Sequence, residues 1–209
     1  DFDDSRRGKA LDTIERNSVA MAQLIEDLLD MSRVISGKMR LEVQPLDLVK
    51  VVQAAIESIR PAAAAKEITL SATLEPATAA TTMMGDSTRL QQVAWNLWSN
   101  AVKFTPKHGR VQVSLLRVGS ALELRVEDSG RGIDPSFVPH VFEAFRQEDA
   151  SASRSRGGLG LGLAITRQLV ELHGGQISAH SEGEGRGARF VVSLPVAPLT
   201  AHEASRHAV

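Results

Sequence analysis

Apolar positions along the chain follow two periods. In the first segment Leu11, Ile14, Ser18, Met21, Ile25, Leu28, Ser32 and Ile35 advance by alternating steps of three and four. That spacing makes a coiled-coil-like helical seam, broken by two serines. Leu24, Leu29, Met31 and Val34 widen the stripe, which suits a helix in a bundle better than one in a two-stranded coil. The pattern predicts one long helix over about Ala10–Ser36, stopped at Gly37. The competing reading is a surface helix packed on its own domain.

Beyond Gly37 the period changes. Brief alternation predicts a short strand over Met39–Val43. Pro45 and Asp47 then open a helix of about 18 residues, with Asp47 as N-cap. Ile68, Leu70, Ala72 and Leu74 alternate on one face and predict a strand over Glu67–Leu74. Asp86 caps a further helix to about Lys103. Val111–Val118 and Leu122–Val126 form a hairpin across Gly119-Ser120. Leu159–His173 reads as a helix ended by Gly174-Gly175, and Ile177–His180 with Ala188–Leu194 as a second hairpin. Helices and a mostly antiparallel sheet then share one core, an α+β fold built as a two-layer sandwich behind a long helix. The expected divisions are 1–38, 39–196 and a patternless, mobile tail over 197–209.

Composition narrows the function classes. The chain has 209 residues, 24 Lys plus Arg against 25 Asp plus Glu, and a formal net charge of -1. A nucleic-acid binder would normally carry a basic excess, so no nucleic-acid partner is expected. The absence of cysteine excludes disulfides, thiolate metal sites and Cys nucleophiles, and fits a reducing compartment. No apolar run reaches membrane-spanning length, so no membrane contact by this stretch is expected. The start at Asp1 rather than Met suggests a fragment, with a span or sensor possible upstream.

Three clusters carry candidate chemistry. Asn96, Asn100 and Lys103 lie four and three residues apart, on one side of the helix after Asp86. Neutral amide oxygens beside an ammonium suit a magnesium ion and the phosphates it carries, although two solvated asparagines would look the same. The second cluster, Glu127-Asp128-Ser129-Gly130-Arg131-Gly132-Ile133-Asp134, follows a strand. Its carboxylate can accept from an exocyclic amine, and its glycines let backbone approach a flat ring; alone it reads as a turn. The third is Gly157-Gly158-Leu159-Gly160-Leu161-Gly162 at the start of an amphipathic helix, whose free N–H groups attract phosphate. It is neither a Walker loop nor a dinucleotide fingerprint. Before it, Arg146–Gly158 lacks large apolar residues and carries Arg154 and Arg156, the composition of a lid over an anion.

Order and spacing tie these clusters together. Leu90–Thr105 (LQQVAWNLWSNAVKFT) resembles the N box of sensor histidine kinases, Asp128–Gly132 their G1 box and Phe142–Phe145 their F box. Gly158–Leu163 resembles the G2 box, and Gly185-Arg186-Gly187 the last glycine turn. The resemblance runs from Ala10 to Pro195 and implies the ATP-binding sandwich of gyrase-type and Hsp90-type ATPases. It also implies that the first helix is the second helix of a dimerisation and histidine-phosphotransfer hairpin.

Carried over by motif, Asn100 is the main Mg2+ ligand, Asn96 supports it or positions water, and Lys103 contacts phosphate. Asp128 takes the adenine amine of ATP, with Gly130, Gly132 and Ile133 shaping the pocket. Gly158, Gly160 and Gly162, with Leu159 and Leu161, wrap the phosphates, and Arg154 or Arg156 meets the γ-phosphate. Phe142 and Phe145 anchor the lid base; by themselves they read as core. Implied partners are a second copy, forming a homodimer through the N-terminal helix hairpin, and a response regulator receiver domain. The implied compartment is cytoplasmic.

Two departures stand out. Arg189 occupies the position before Phe190 where many members have a Thr that assists adenine binding. The phosphoacceptor His, followed by an acidic residue and a nearby Pro, is missing. The alternatives are a related ATPase or serine kinase on the same fold, and a non-catalytic nucleotide-sensing dimerisation module. The long helix argues against the former. Intact Asn100, Lys103, Asp128 and glycines argue against the latter.

Overall fold

The computed structural model describes residues 4–74, 81–148 and 159–196. Its first element, α1, spans Asp4–Ile35, starting about two turns before the apolar seam. The seam is open: Leu11, Ile14, Met21, Ile25, Leu28 and Ile35 are 53 to 73% exposed. The opposite side of the last turns is not. Met31 and Val34 pack against the core, and Asp30 is buried. The Asp30 carboxylate accepts from Arg89 Nη1 at 2.7 Å and from Gln92 Nε2 at 2.9 Å. α1 therefore leans its C-terminal end on the body and leaves its seam in solvent.

The next elements correct one expectation. Met39–Val43 is not a strand; the strand is β1, Gln44–Asp47, paired antiparallel with β3, Thr82–Gly85. Met39 earns its apolar character by burial in the core. Pro45 argues against a strand by sequence, but a two-stranded ribbon tolerates its missing donor. β3 is too short to show alternation, and no strand was expected there. Between them, α2 spans Leu48–Ala65, and Asp47 caps it by accepting from Val49 N at 3.0 Å.

The main sheet has five strands. β2 is Thr69–Leu74, β4 Arg110–Val118, β5 Ala121–Asp128, β6 Gln176–His180 and β7 Ala188–Pro195. Their order is β2-β4-β5-β7-β6. β2 runs parallel to β4; the other pairs are antiparallel. Inward positions alternate as Val111, Val113 and Leu115 on β4, Leu122, Leu124 and Val126 on β5, and Phe190, Val192 and Leu194 on β7. They meet α2, α3 (Ser87–Phe104) and α4 (Gly162–Leu172), which contribute Val52, Leu97, Trp98, Ile165 and Leu169 to one core. Outward positions include polar pairs such as Glu123–Arg125 at 2.6 Å. Helices cover one face of the sheet, so this is the expected two-layer sandwich.

His173, at the end of α4, joins two elements. It is fully buried, its Nδ1 bonds Leu169 O at 2.7 Å, and its Nε2 accepts from Asp86 N at 3.0 Å. Leu169 O can only accept, so the proton sits on Nδ1 and the ring is neutral. Burial pushes its pKa below the ordinary value of 6.5, against the pull of Leu169 O and Asp86. The unfolded chain therefore binds this proton first. The stability His173 contributes is complete above about pH 6.5 and drains as pH falls below it, by at most about 1.4 kcal/mol per pH unit. Melting curves from pH 7.5 to 5 should show this loss, and the His173→Gln variant, less stable at pH 7.5, should show a flatter slope. Equal slopes would remove His173 as the source.

Candidate nucleotide site

The three motif clusters meet around α3. Asp86 starts this helix by accepting from Arg89 N at 3.1 Å, and its other oxygen takes Glu42 N at 3.0 Å. Asn96, Asn100 and Lys103 follow at i, i+4 and i+7, on one face. Asn96 is buried, and its amide nitrogen donates to Gly162 O at 3.2 Å and to Thr166 Oγ1 at 3.3 Å. Thr166 Oγ1 itself donates to Gly162 O at 2.7 Å. Asn96 thus ties α3 to the first turn of α4, a role that its spacing alone does not reveal, and keeps only its oxygen for a ligand. Asn100 is half-buried, and its carboxamide bonds none of the described residues. The Lys103 ammonium lies 5.0 Å from the centroid of the Phe104 ring, and the Arg131 guanidinium lies 4.7 Å from the same ring.

The Asp128 turn closes against the end of α3. Arg131 N donates to Phe104 O at 3.3 Å, and Ser129 pairs with Arg110 through N–H and hydroxyl. Gly130 has no room for a side chain: a Cβ there would sit 2.6 Å from both Phe104 O and Asp128 Oδ1. Gly132 has φ +74, and a Cβ there would come within 2.0 Å of Gly183 O. The turn is tied to the last hairpin as well, by Gly187 N to Gly130 O at 3.1 Å and Ile133 N to Ser181 Oγ at 3.0 Å.

Asp128 itself is half-buried at the end of β5. Burial pushes its carboxyl above the ordinary carboxylate range, opposed by the backbone N–H groups of Gly130, at 2.8 Å, and Ala188. A carboxylate short of solvation gains by taking a further donor such as an exocyclic amine. On β7 the residue facing Asp128 is Ala188, while Arg189 faces Glu127 and is more than half exposed. The residue beside the carboxylate is therefore Ala188, and Arg189 belongs to the outer face of the sheet.

α4 starts without a side-chain cap, so its first N–H groups stay available to an anion. It begins at Gly162, three residues later than its sequence suggests, because Gly160 takes φ +71. The Leu161 side chain goes into the core at 1% exposure, which leaves its backbone to face a ligand. Leu159 is exposed. Phe142 packs edge-on against Phe190 with centroids 6.3 Å apart, as a core residue should. Phe145 does not: it is 61% exposed at φ +63, with its N–H committed to Gly160 O at 3.1 Å. That bond clamps together the two ends of the segment 146–159. Arg154, Arg156 and Gly158, with most of the expected lid, lie outside the described residues, as does the tail. A cleft of about 570 Å³ opens between Arg131, Gly132, Phe137, His140 and Arg146; none of Asn96, Asn100, Lys103 and Asp128 lines it.

Residues 85–198 match the family described as histidine kinase-, DNA gyrase B- and HSP90-like ATPase. The chain belongs to this family, as the catalytic ATPase domain of a sensor histidine kinase. Among its relatives is hybrid signal transduction histidine kinase D of Dictyostelium discoideum, 38% identical over 93% of this chain and 14% of that protein. Another is the circadian input-output histidine kinase CikA of Synechococcus elongatus, 37% identical over 91% of this chain and 25% of that protein. The chain thus spans a quarter or less of the length of these two. Of solved structures, mycobacterial sensor histidine kinase MprB superposes with TM-score 0.64 at 31% identity, covering 75% of this chain and 99% of that one. Full-length ShkA in complex with AMPPNP superposes with TM-score 0.75 at 29% identity, covering 94% of this chain and 40% of that one.

Proposed function

We propose that the chain binds Mg-ATP between α3, the Asp128–Gly132 turn and the N-terminus of α4, and delivers the γ-phosphoryl group to a histidine on a separate helix. The observation that carries this reading is the convergence on α3: Asn96 bonds the first turn of α4, and Phe104 O bonds the Asp128 turn. Adenine, phosphates and metal ligands thereby acquire one rigid reference. Asp128 accepts the adenine amine, and Gly130, Gly132 and Ile133 shape the walls of that pocket. Lys103 and the open N-terminus of α4 neutralise phosphate. Arg154 or Arg156 meets the γ-phosphate from the lid, and Gly158, Gly160 and Gly162 let that lid close.

Among the described residues no group of three or more His, Asp or Glu side chains is placed to hold a metal. The donors present, the Asn100 carboxamide, which bonds no described side chain or backbone group, and the Asn96 oxygen, fit an ion that takes most of its ligands from phosphate and water. Bound there, Mg2+ supplies charge to the phosphates. In transfer the bond between the γ-phosphorus and its bridging oxygen breaks, a nitrogen–phosphorus bond forms, ADP leaves and the imidazole loses its proton.

The open seam of α1 supports pairing in a homodimer through a helix hairpin, of which α1 is the second member, and a division of the chain at 38/39. A response regulator receiver domain takes the phosphoryl group onward. No described helix is long and apolar enough to cross a membrane, and the reading puts the reaction in the cytoplasm, at the nucleotide pool.

Labelled ATP tests the reading. The chain alone should form no stable phosphohistidine, because none of its six histidines sits in an acceptor segment. With a separately supplied acceptor hairpin, acid-labile, base-stable label should appear on the hairpin. Label on the isolated chain, or none on any hairpin supplied, would contradict it.

A further inference from the structure

We infer that Lys66 is a positioning residue for the nucleotide site, acting through the end of α3. Lys66 lies at the C-cap of α2, far from every motif in sequence. Its ammonium donates to Val102 O at 2.7 Å, Lys103 O at 3.0 Å and Thr105 O at 2.9 Å. These are carbonyls of the last turn of α3 and of its C-cap Thr105, where acceptors lack intrahelical partners and the helix dipole is negative. One cation therefore neutralises that end and holds carbonyls of the residues before and after Phe104.

Phe104 O is the group against which the Asp128 turn rests, receiving Arg131 N at 3.3 Å and leaving no space for a Cβ at Gly130. Lys103 lies inside the same clamp. A change at Lys66 thus reaches the phosphate-side lysine and the adenine-side turn together through the carbonyls that it holds. Its three carbonyl bonds converge on one nitrogen, a geometry that suits a tetrahedral ammonium better than a planar guanidinium.

The inference rests on the ATP-binding reading, so the wild-type chain is titrated with Mg-ATP first. No binding there would end both. Given binding, Lys66→Met should weaken ATP affinity by about tenfold when measured well below its melting temperature, since three acceptors lose a charged donor. Lys66→Arg should fall between Lys66→Met and wild type. The amide signals of Gly130 and Arg131 should shift in both variants without nucleotide. Unchanged affinity and unchanged Gly130 and Arg131 signals in a folded Lys66→Met chain, with only its melting temperature lowered, would reduce Lys66 to a stability cap and overturn the inference. Should both variants fail to fold, the wild type decides. The Lys66 ammonium signal in nitrogen-15 spectra should move on saturation with Mg-ATP, and an unmoved signal would overturn it.

Discussion

Asp128→Asn should weaken ATP binding by about tenfold to a hundredfold, the range for losing one charge-assisted hydrogen bond. The folded turn should survive, because Asn keeps one oxygen to accept from Gly130 N, now at 2.8 Å. What it loses is the second acceptor. The amide group offers a donor where the adenine amine also offers one, and the two repel. Burial already holds the Asp128 carboxyl above its ordinary range, so the free site bears a desolvated charge that adenine relieves. Guanine presents an oxygen at the corresponding position, and Asp128→Asn should narrow the gap between ATP and GTP. Calorimetric titration with both nucleotides measures this; unchanged ATP affinity would remove Asp128 from the adenine contact.

Gly132→Ala should have the larger structural effect. The residue has φ +74, where a Cβ costs about 1–2 kcal/mol by itself. That Cβ would also stand 2.0 Å from Gly183 O, a backbone atom that cannot swing away. Either the Asp128 turn or the 181–187 turn has to move, and the two are linked by Gly185 N to Arg131 O and Gly187 N to Gly130 O. A destabilisation of about 3 kcal/mol or more, with loss of nucleotide binding, is expected. Gly162→Ala is the control. There φ is negative-side, the nearest atoms are those of the Asn96 carboxamide at 3.7 Å and beyond, and stability should change by about 0.5 kcal/mol at most. Thermal melting of both variants separates glycines required by backbone geometry from those that are merely small. Equal melting temperatures for Gly132→Ala and wild type would refute the clash.

Elements long enough to repeat their period were legible from residues alone. α1, α2 and α3 run for several turns, and each of α2 and α3 starts at an Asp that caps as its position suggests. The β4–β5 hairpin shows clean alternation on each side of Gly119. β1 and β3 were not legible: four residues each, one carrying Pro45, they pair with one another across a separation no local pattern reports. The start of α4 was misplaced because Gly160 and Gly162 look alike in sequence, while only Gly160 takes a left-handed φ.

The site shows the same division. Asn96, Asn100, Lys103 and Asp128 could be singled out by chemistry and spacing. That the Asn96 amide nitrogen is committed to Gly162 and Thr166, that Ala188 and not Arg189 faces Asp128, and that Phe145 turns outward all depend on packing or register. Lys66 is the clearest case. Its role depends on three carbonyls some 36 to 39 residues away, and a Lys at a helix end carries no local sign of them.

The central claim, that the space between α3, the Asp128 turn and α4 is an ATP site, is tested most directly by titrating the chain with ATP in magnesium and following both heat and melting temperature. The account predicts one nucleotide per chain. At a free concentration about 100 times the dissociation constant it predicts added stability of about 2.7 kcal/mol. In Asp128→Asn, which should bind ATP about tenfold to a hundredfold more weakly, the added stability at the same nucleotide concentration should fall to about 0.4–1.4 kcal/mol. No heat and no melting shift with saturating ATP in the wild-type chain would contradict the account.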